Sequence, residues 1–274
     1  MSVKKAQTIP VLGANLYYEV RGSGPILLMI AAGAGDADSF GSAIEHLIDH
    51  YTVVTYDRRG LARSPLDYPN QPIEIETHSE DAHCLLAELT SEAVYVFGSS
   101  IGAVIGIDLA IRHANQVRRL VAHEPPLLAL LSDAEQQQAM NERVHLEETL
   151  HREGTTAAFQ QFITNLGISH DDPPISRDRT QQDVERIQKN HETFFKYDAG
   201  AVERYKPNIV TLQTLSTRIV PAGGLTSHET GPYRCAVALA DLLTTPIVEF
   251  PGSHAGFVDY PQEFAKTLHV ALRD

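Results

Sequence analysis

Cysteine is almost missing from this chain. Cys84 and Cys235 are the two in 274 residues, too few for a disulfide framework and outside any C-x-x-C or metal-ligand spacing; both are expected to be reduced and buried. Long apolar runs are missing as well. No segment approaches eighteen consecutive apolar residues, which excludes the pattern of a membrane-spanning helix. The first twenty residues, MSVKKAQTIPVLGANLYYEV, place polar and turn-forming residues where a secretory signal carries its apolar region, so a cytoplasmic location is expected. Cations are in deficit: 22 Lys and Arg stand against 35 Asp and Glu, a net charge of −13. Such a surface repels phosphate backbones and anionic lipid, so neither nucleic acid nor membrane is expected as a partner. The thirteen histidines invite a metal reading. The nearest pair in a helical stretch, His78 and His83, is five residues apart and points to different faces, so no metal and no cofactor is expected. Self-association is left open.

What is present suits a folded α/β protein. Hydrophobic residues make up 43% and charged residues 21%, and the length exceeds the usual single core, implying one large domain or a core with a smaller insertion. Two short runs, AQTIPVL and LYYEV, straddle Gly13 and predict an antiparallel hairpin. Six further β-branched or apolar runs follow: ILLMIA (26–31), YTVVTYD (51–57), AVYVFG (93–98), RRLVAHE (118–124), TRIVPAG (217–223) and PIVEFPG (246–252). Helix-like segments such as DSFGSAIEHLIDH, ETHSEDAHCLLAELTSE and GAVIGIDLAIRHA lie between them. This alternation predicts a mostly parallel sheet with helices on both faces. Residues 127–208 depart from it: they are helical, polar and without a convincing strand, and are broken by ISHDDPPISRD. They are expected to form an inserted helical cap on a core of 1–126 and 209–274; ordinary crossover helices are the alternative.

The segment VYVFGSSIGAVIGIDLA (94–110) runs from a strand pattern into a helix pattern through two serines. Only Ser100 has glycines two residues away on both sides, in G-x-S-x-G. A nucleophile on a sharp strand-to-helix turn needs those glycines, because side chains there would collide with strand and helix. Gly106, one turn past Gly102, would let the helix approach the sheet.

Serine needs a base to accept its proton during attack. In VEFPGSHAGFVDYPQEFAKTL, His254 falls on a loop after the last strand and before the final helix, at the carboxyl edge where Ser100 is expected. For the acid that orients it, LVAHEPP puts Glu124 at the end of the sixth strand, its direction set by Pro125 and Pro126. The stretch after the seventh strand, PAGGLTSHETG, offers only Glu229, several residues late. Glu124 is preferred; the structural alternative is a buried glutamate paired with an arginine such as Arg58, with His123 pointing to the opposite side.

Acyl transfer also needs backbone donors for the developing oxyanion. Ile101, after the nucleophile, supplies one, and Gly33 in AAGAGDADSF is the candidate for the other. The same loop carries a rival reading. Gly33, Gly35 and Asp57 sit where a dinucleotide-binding fingerprint would have them, although Asp38 occupies the third glycine position and Asp36 and Asp38 oppose a pyrophosphate.

These motifs resemble the α/β-hydrolase superfamily over nearly the whole chain: GSSIG its nucleophile elbow, GSHAGF its histidine loop, YDRRGLARS its D-x-R-G-x-G-x-S stretch and AAGAG its HG-x-x-G position. Ala31 and Ala32 replace the usual His-Gly, and Ala62 replaces a glycine. HEPP is similar to the arrangement in fungal zearalenone lactonases, whose triad glutamate corresponds to Glu124 and whose double-serine elbow agrees with Ser100. The resemblance implies a serine hydrolase acting on an ester, lactone or related carbonyl of a small molecule without a cofactor. Phe159, Phe162, Phe194 and Phe195 are candidates for an apolar substrate pocket. C–C bond hydrolases, lyases and non-catalytic receptors share the fold and stay open.

Overall fold

The computed structural model describes residues 4–168, 180–215 and 218–273. Eight strands form one sheet in the order β1-β2-β4-β3-β5-β6-β7-β8. The hairpin is β1 (Lys5–Val11) and β2 (Ala14–Gly22), turned at Gly13 with φ 82°. β2 pairs antiparallel with β4 (Thr52–Tyr56), and every later pairing is parallel, through β3 (Ile26–Ile30), β5 (Val94–Ser99), β6 (Val117–His123), β7 (Ile219–Gly224) and β8 (Val248–Phe250).

Strand side chains alternate between faces, and here both faces are apolar. Leu28 and Ile30 of β3 join Val94 and Val96 of β5 in one core, with α2 (Ile75–Leu89), α3 (Ile101–Arg112) and α9 (Gly231–Leu243). Leu27, Met29 and Phe97 join the opposite core, with α1 (Gly41–Glu45), α10 (Gly256–Asp259) and α11 (Pro261–Arg273). Helices therefore cover both sides, as the alternation predicts. β8 is three residues long where seven were expected, because only Phe250 of it is buried. Cys235 is buried, but Cys84 is only partly so, which corrects the expectation for it.

Between β6 and β7 the described chain is helical: α4 (Asp133–Glu153), α5 (Thr155–Asn165), α6 (Gln181–Thr193), α7 (Ala199–Arg204) and α8 (Ile209–Thr214). Ser132 with Glu135 and Thr180 with Asp183 form capping boxes at the starts of α4 and α6, each satisfying otherwise orphaned backbone donors. Most of the expected linker 168–178 falls outside the described residues. A continuous helix was expected through 179–205. Instead α6 passes into a π-helical turn, Phe194–Asp198, before α7, and this turn faces the rest of the protein. Asn190 of α6 accepts from the N–H of Ala62 at 2.8 Å, Arg186 reaches Asp38 at 3.1 Å, and Tyr205 donates to Asp108 at 2.9 Å.

Candidate active site

The turn after β5 is tight because three glycines let strand and helix meet. A β-carbon on Gly98 would overlap the carbonyl of Gly102; one on Gly102 would overlap the carbonyl oxygen of Ile30 and lie 2.8 Å from that of Ala31. Gly106 packs on side chains instead, its β-carbon position lying 2.8 Å from Leu120 Cδ1 and 3.5 Å from Val96 Cγ1. Ser100 sits on this turn at φ 55° and ψ −123°, a conformation that costs a non-glycine residue about 1–3 kcal/mol. Its own N–H donates to the carbonyl of His123 on the neighbouring strand at 2.9 Å. That bond puts Ser100 beside the end of β6.

Glu124 is the next residue, buried, with φ 48° ahead of Pro125 and Pro126. Its Oε1 accepts from the N–H of Gly224 at 2.7 Å, and its Oε2 meets Nδ1 of His254. The histidine loop can come this close because Gly224 has no side chain; a β-carbon there would stand 2.7 Å from the carbonyls of Gly252 and Ser253. Burial alone would raise the Glu124 carboxyl, but the His254 charge and hydrogen bond outweigh it and hold the group down to about 2. His254 is 3% exposed, and its Nε2 has no hydrogen-bond partner among the described residues. With Nδ1 held by Glu124, Nε2 is the ring nitrogen left to act as a base, and bonds between nucleophile and base are often long before a ligand binds.

Glu229 is exposed and is not part of this cluster; among the described residues, Arg234 engages its backbone carbonyl and nothing engages its carboxylate. Arg58 does not pair with Glu124 either. His123 is buried among Phe97, Phe250 and Phe264, and its ring centroid is 6.1 Å from that of His254. The positive φ of Glu124 breaks strand alternation here, so His123 borders the histidine loop instead of lying wholly apart from it. Burial pushes its imidazole down to about 4.

The N–H of Ile101 heads α3 and donates to no described group. Gly33, at φ 24°, lies on the loop whose start, Ile30 and Ala31, packs against Gly102. Phe162 and Phe194 approach Gly33, each 3.8 Å from where its β-carbon would be. Phe159 and Phe195 complete the aromatic cluster at ring distances of 6.0 to 6.5 Å from Phe162. His191 stacks on Phe159 at 3.6 Å, a partner that the spacing of aromatics alone did not indicate. Phe195 also lines a cavity of about 300 Å³ with Ile73, Leu146 and Leu150.

The dinucleotide reading finds no support in this loop. Asp57 is fully buried and already accepts from Ala37 N–H at 2.8 Å and Arg63 Nε at 2.7 Å. The next helix starts only at Gly41, leaving no helix terminus beside Gly33 and Gly35. Among the described residues, Glu80, His83 and His113 form the one group of three donors within 4.8 Å. The two imidazoles stack at 3.8 Å and 8°, so their lone pairs do not converge on one ion.

One network escaped the sequence reading, although Arg58 and His78 were each considered there in other roles. Arg58, Asp198 and His78 form a buried network, with Arg58 Nη2 to Asp198 Oδ2 at 2.8 Å and His78 Nε2 to Asp198 Oδ1 at 3.1 Å. Arg58 and Asp198 are 140 positions apart, and no local spacing signals their meeting.

The whole chain aligns with known proteins. A Bacillus subtilis protein named uncharacterized hydrolase YraK is 43% identical over 97% of this chain and 95% of its own. A putative carbamate hydrolase, RutD, of Agrobacterium fabrum is 30% identical over 39% of this chain and 42% of its own. Among solved structures, a thermophilic esterase from Thermogutta terrifontis superposes with a TM-score of 0.72 at 20% identity, covering 100% of this chain and 98% of that one. A hydrolase from Pseudomonas aeruginosa superposes at 0.69 and 20% identity over 98% of both chains. The alpha/beta hydrolase fold family matches residues 25–193, and with this sheet order and these relatives the chain belongs to the α/β-hydrolase family.

Proposed function

We propose that this protein is a serine hydrolase that cleaves an ester, lactone or related carbonyl bond of a small, partly apolar molecule through an acyl-enzyme on Ser100. The observation that carries the reading is the Glu124–His254 pair beside the strained turn of Ser100, with Nε2 of His254 left unpaired. Ser100 Oγ attacks the carbonyl carbon while His254 Nε2 takes its proton. Glu124, ionised at any neutral pH, holds Nδ1–H and stabilises the imidazolium. The tetrahedral oxyanion accepts from Ile101 N–H and the Gly33 loop. His254 returns the proton to the leaving oxygen, and water attacks the acyl-enzyme by the same route. Residues 127–208 act as the cap, and Phe162 and Phe194 give the site its apolar wall. The name carried by the partial RutD relative adds carbamates to the carbonyl classes worth trying.

The test is labelling with a fluorophosphonate followed by mapping of the modified peptide, together with turnover of short p-nitrophenyl esters. Modification at Ser100, with both signals lost in Ser100→Ala, is expected. Modification elsewhere, or tight binding of esters without turnover, would overturn the hydrolase reading, the second outcome in favour of a receptor.

A further inference from the structure

On the loop after β3 the N–H groups of Ala31, Ala32, Gly33 and Ala34, like that of Ile101, have no acceptor among the described residues. In a trans peptide the carbonyl and the following N–H point in opposite directions. Arg58 Nη1 donates to the carbonyl of Ala31 at 2.7 Å, and Nη2 donates to that of Gly33. The N–H groups of Ala32 and Ala34 are thereby turned away from the guanidinium. The carbonyl between them, that of Ala32, is taken by Gly35 N–H at 2.7 Å. Ala31 and Ala32 have no polar side chains with which to brace the loop, so its peptide planes are set from behind by one residue.

That residue is itself held from the helical insertion. Arg58 is 1% exposed and cannot rely on water; its charge is met by Asp198, which closes the π-helical turn that Phe194 opens. Burial opposes ionisation of Asp198, but Arg58 and His78 prevail and keep it below the usual carboxylate range. One turn thus sets a ring against Gly33 and a carboxylate behind the same loop.

We propose that Arg58 and Asp198 are positioning residues of the acyl-transfer site: Asp198, delivered by the cap, fixes Arg58, and Arg58 orients the Ala31–Gly35 peptides so that their N–H groups are available to the oxyanion. The inference rests on the Ser100 reading above and adds that docking of the cap assembles the oxyanion hole.

The experiment compares wild type, Asp198→Asn, Arg58→Lys and the double variant in p-nitrophenyl butyrate kinetics and in binding of phenylboronic acid. The tetrahedral adduct of that acid on a serine oxygen places a boron-bound oxygen in the oxyanion position. The expected result is a fall in kcat of about 100-fold, KM within about threefold, boronate affinity weakened in proportion to kcat, and a double variant no worse than the poorer single. A kcat within about threefold of wild type, or a loss confined to KM, overturns the proposal. Should the variants fail to fold, hydrogen exchange on the wild type decides. Phenylboronic acid is expected to slow exchange in both 31–35 and 194–198, and slowing confined to 31–35 overturns the coupling. A wild type that neither turns over esters nor reacts at Ser100 brings down the hydrolase reading and this inference together, whereas an active wild type with unaffected variants brings down this inference alone.

Discussion

Ser100 occupies backbone space that suits glycine, and it is held there by the contacts of Gly98 and Gly102 with their neighbours. Ser100→Gly is therefore expected to stabilise the fold by about 1 kcal/mol while abolishing turnover, as urea denaturation and an ester assay would reveal; a destabilised variant would argue against stored strain. The acid assignment makes a paired prediction. Glu124→Gln keeps the shape but loses the charge that supports the imidazolium, so kcat should drop by about 10³- to 10⁴-fold, while Glu229→Gln should leave it near wild type. The opposite ranking would move the role to Glu229. Ser100, Glu124 and His254 were legible because each lies in a local pattern of glycines or prolines that reports a backbone turn. Arg58 was considered only as a possible partner of Glu124, because its actual partners come from the loop after β3 and from a turn 140 positions away.

At the level of elements, strands that bury both faces leave continuous apolar runs, which is why β3 to β7 were readable to within two residues of their ends, whereas the mostly exposed β1 and its partner β2 were marked by the turn at Gly13. The eighth has too few buried residues to limit its length. The π-helical turn had no such signature: FFKYD carries nothing that forbids an ordinary helix, and the wider turn is settled by tertiary demands on Phe194 and Asp198. The elbow gives the sharpest test at this scale. Gly102→Ala would drive a methyl into the carbonyls that end β3. It is expected to cost about 3 kcal/mol or more and to impair kcat through the displaced loop; a melting temperature unchanged by the substitution would contradict the packing described.

For the molecule as a whole, two buried groups near the site predict how stability responds to acid. His123 is pushed from 6.5 to about 4, so the unfolded chain takes up a proton that the native one refuses. The resulting stability is complete above pH 6.5 and is lost as pH falls toward 4, about 3 kcal/mol in all. Glu124 follows at lower pH, its contribution present above 4.5 and lost toward 2. Urea midpoints measured from pH 7 to pH 4 should fall in the wild type and flatten in His123→Leu; parallel curves would show that His123 titrates normally.

Ser100 is 7% exposed and His254 3% exposed, and the rings of Phe162 and Phe194 rest on Gly33 of the loop after β3. On the serine-hydrolase reading proposed above, a reactant can meet groups this buried only when neighbouring side chains move aside, and for reactive esters that opening rather than bond making should limit throughput. Raising solvent viscosity with sucrose is then expected to depress kcat/KM for an activated ester more than for a sluggish one. Equal sensitivity would indicate that reactants slip past a static barrier.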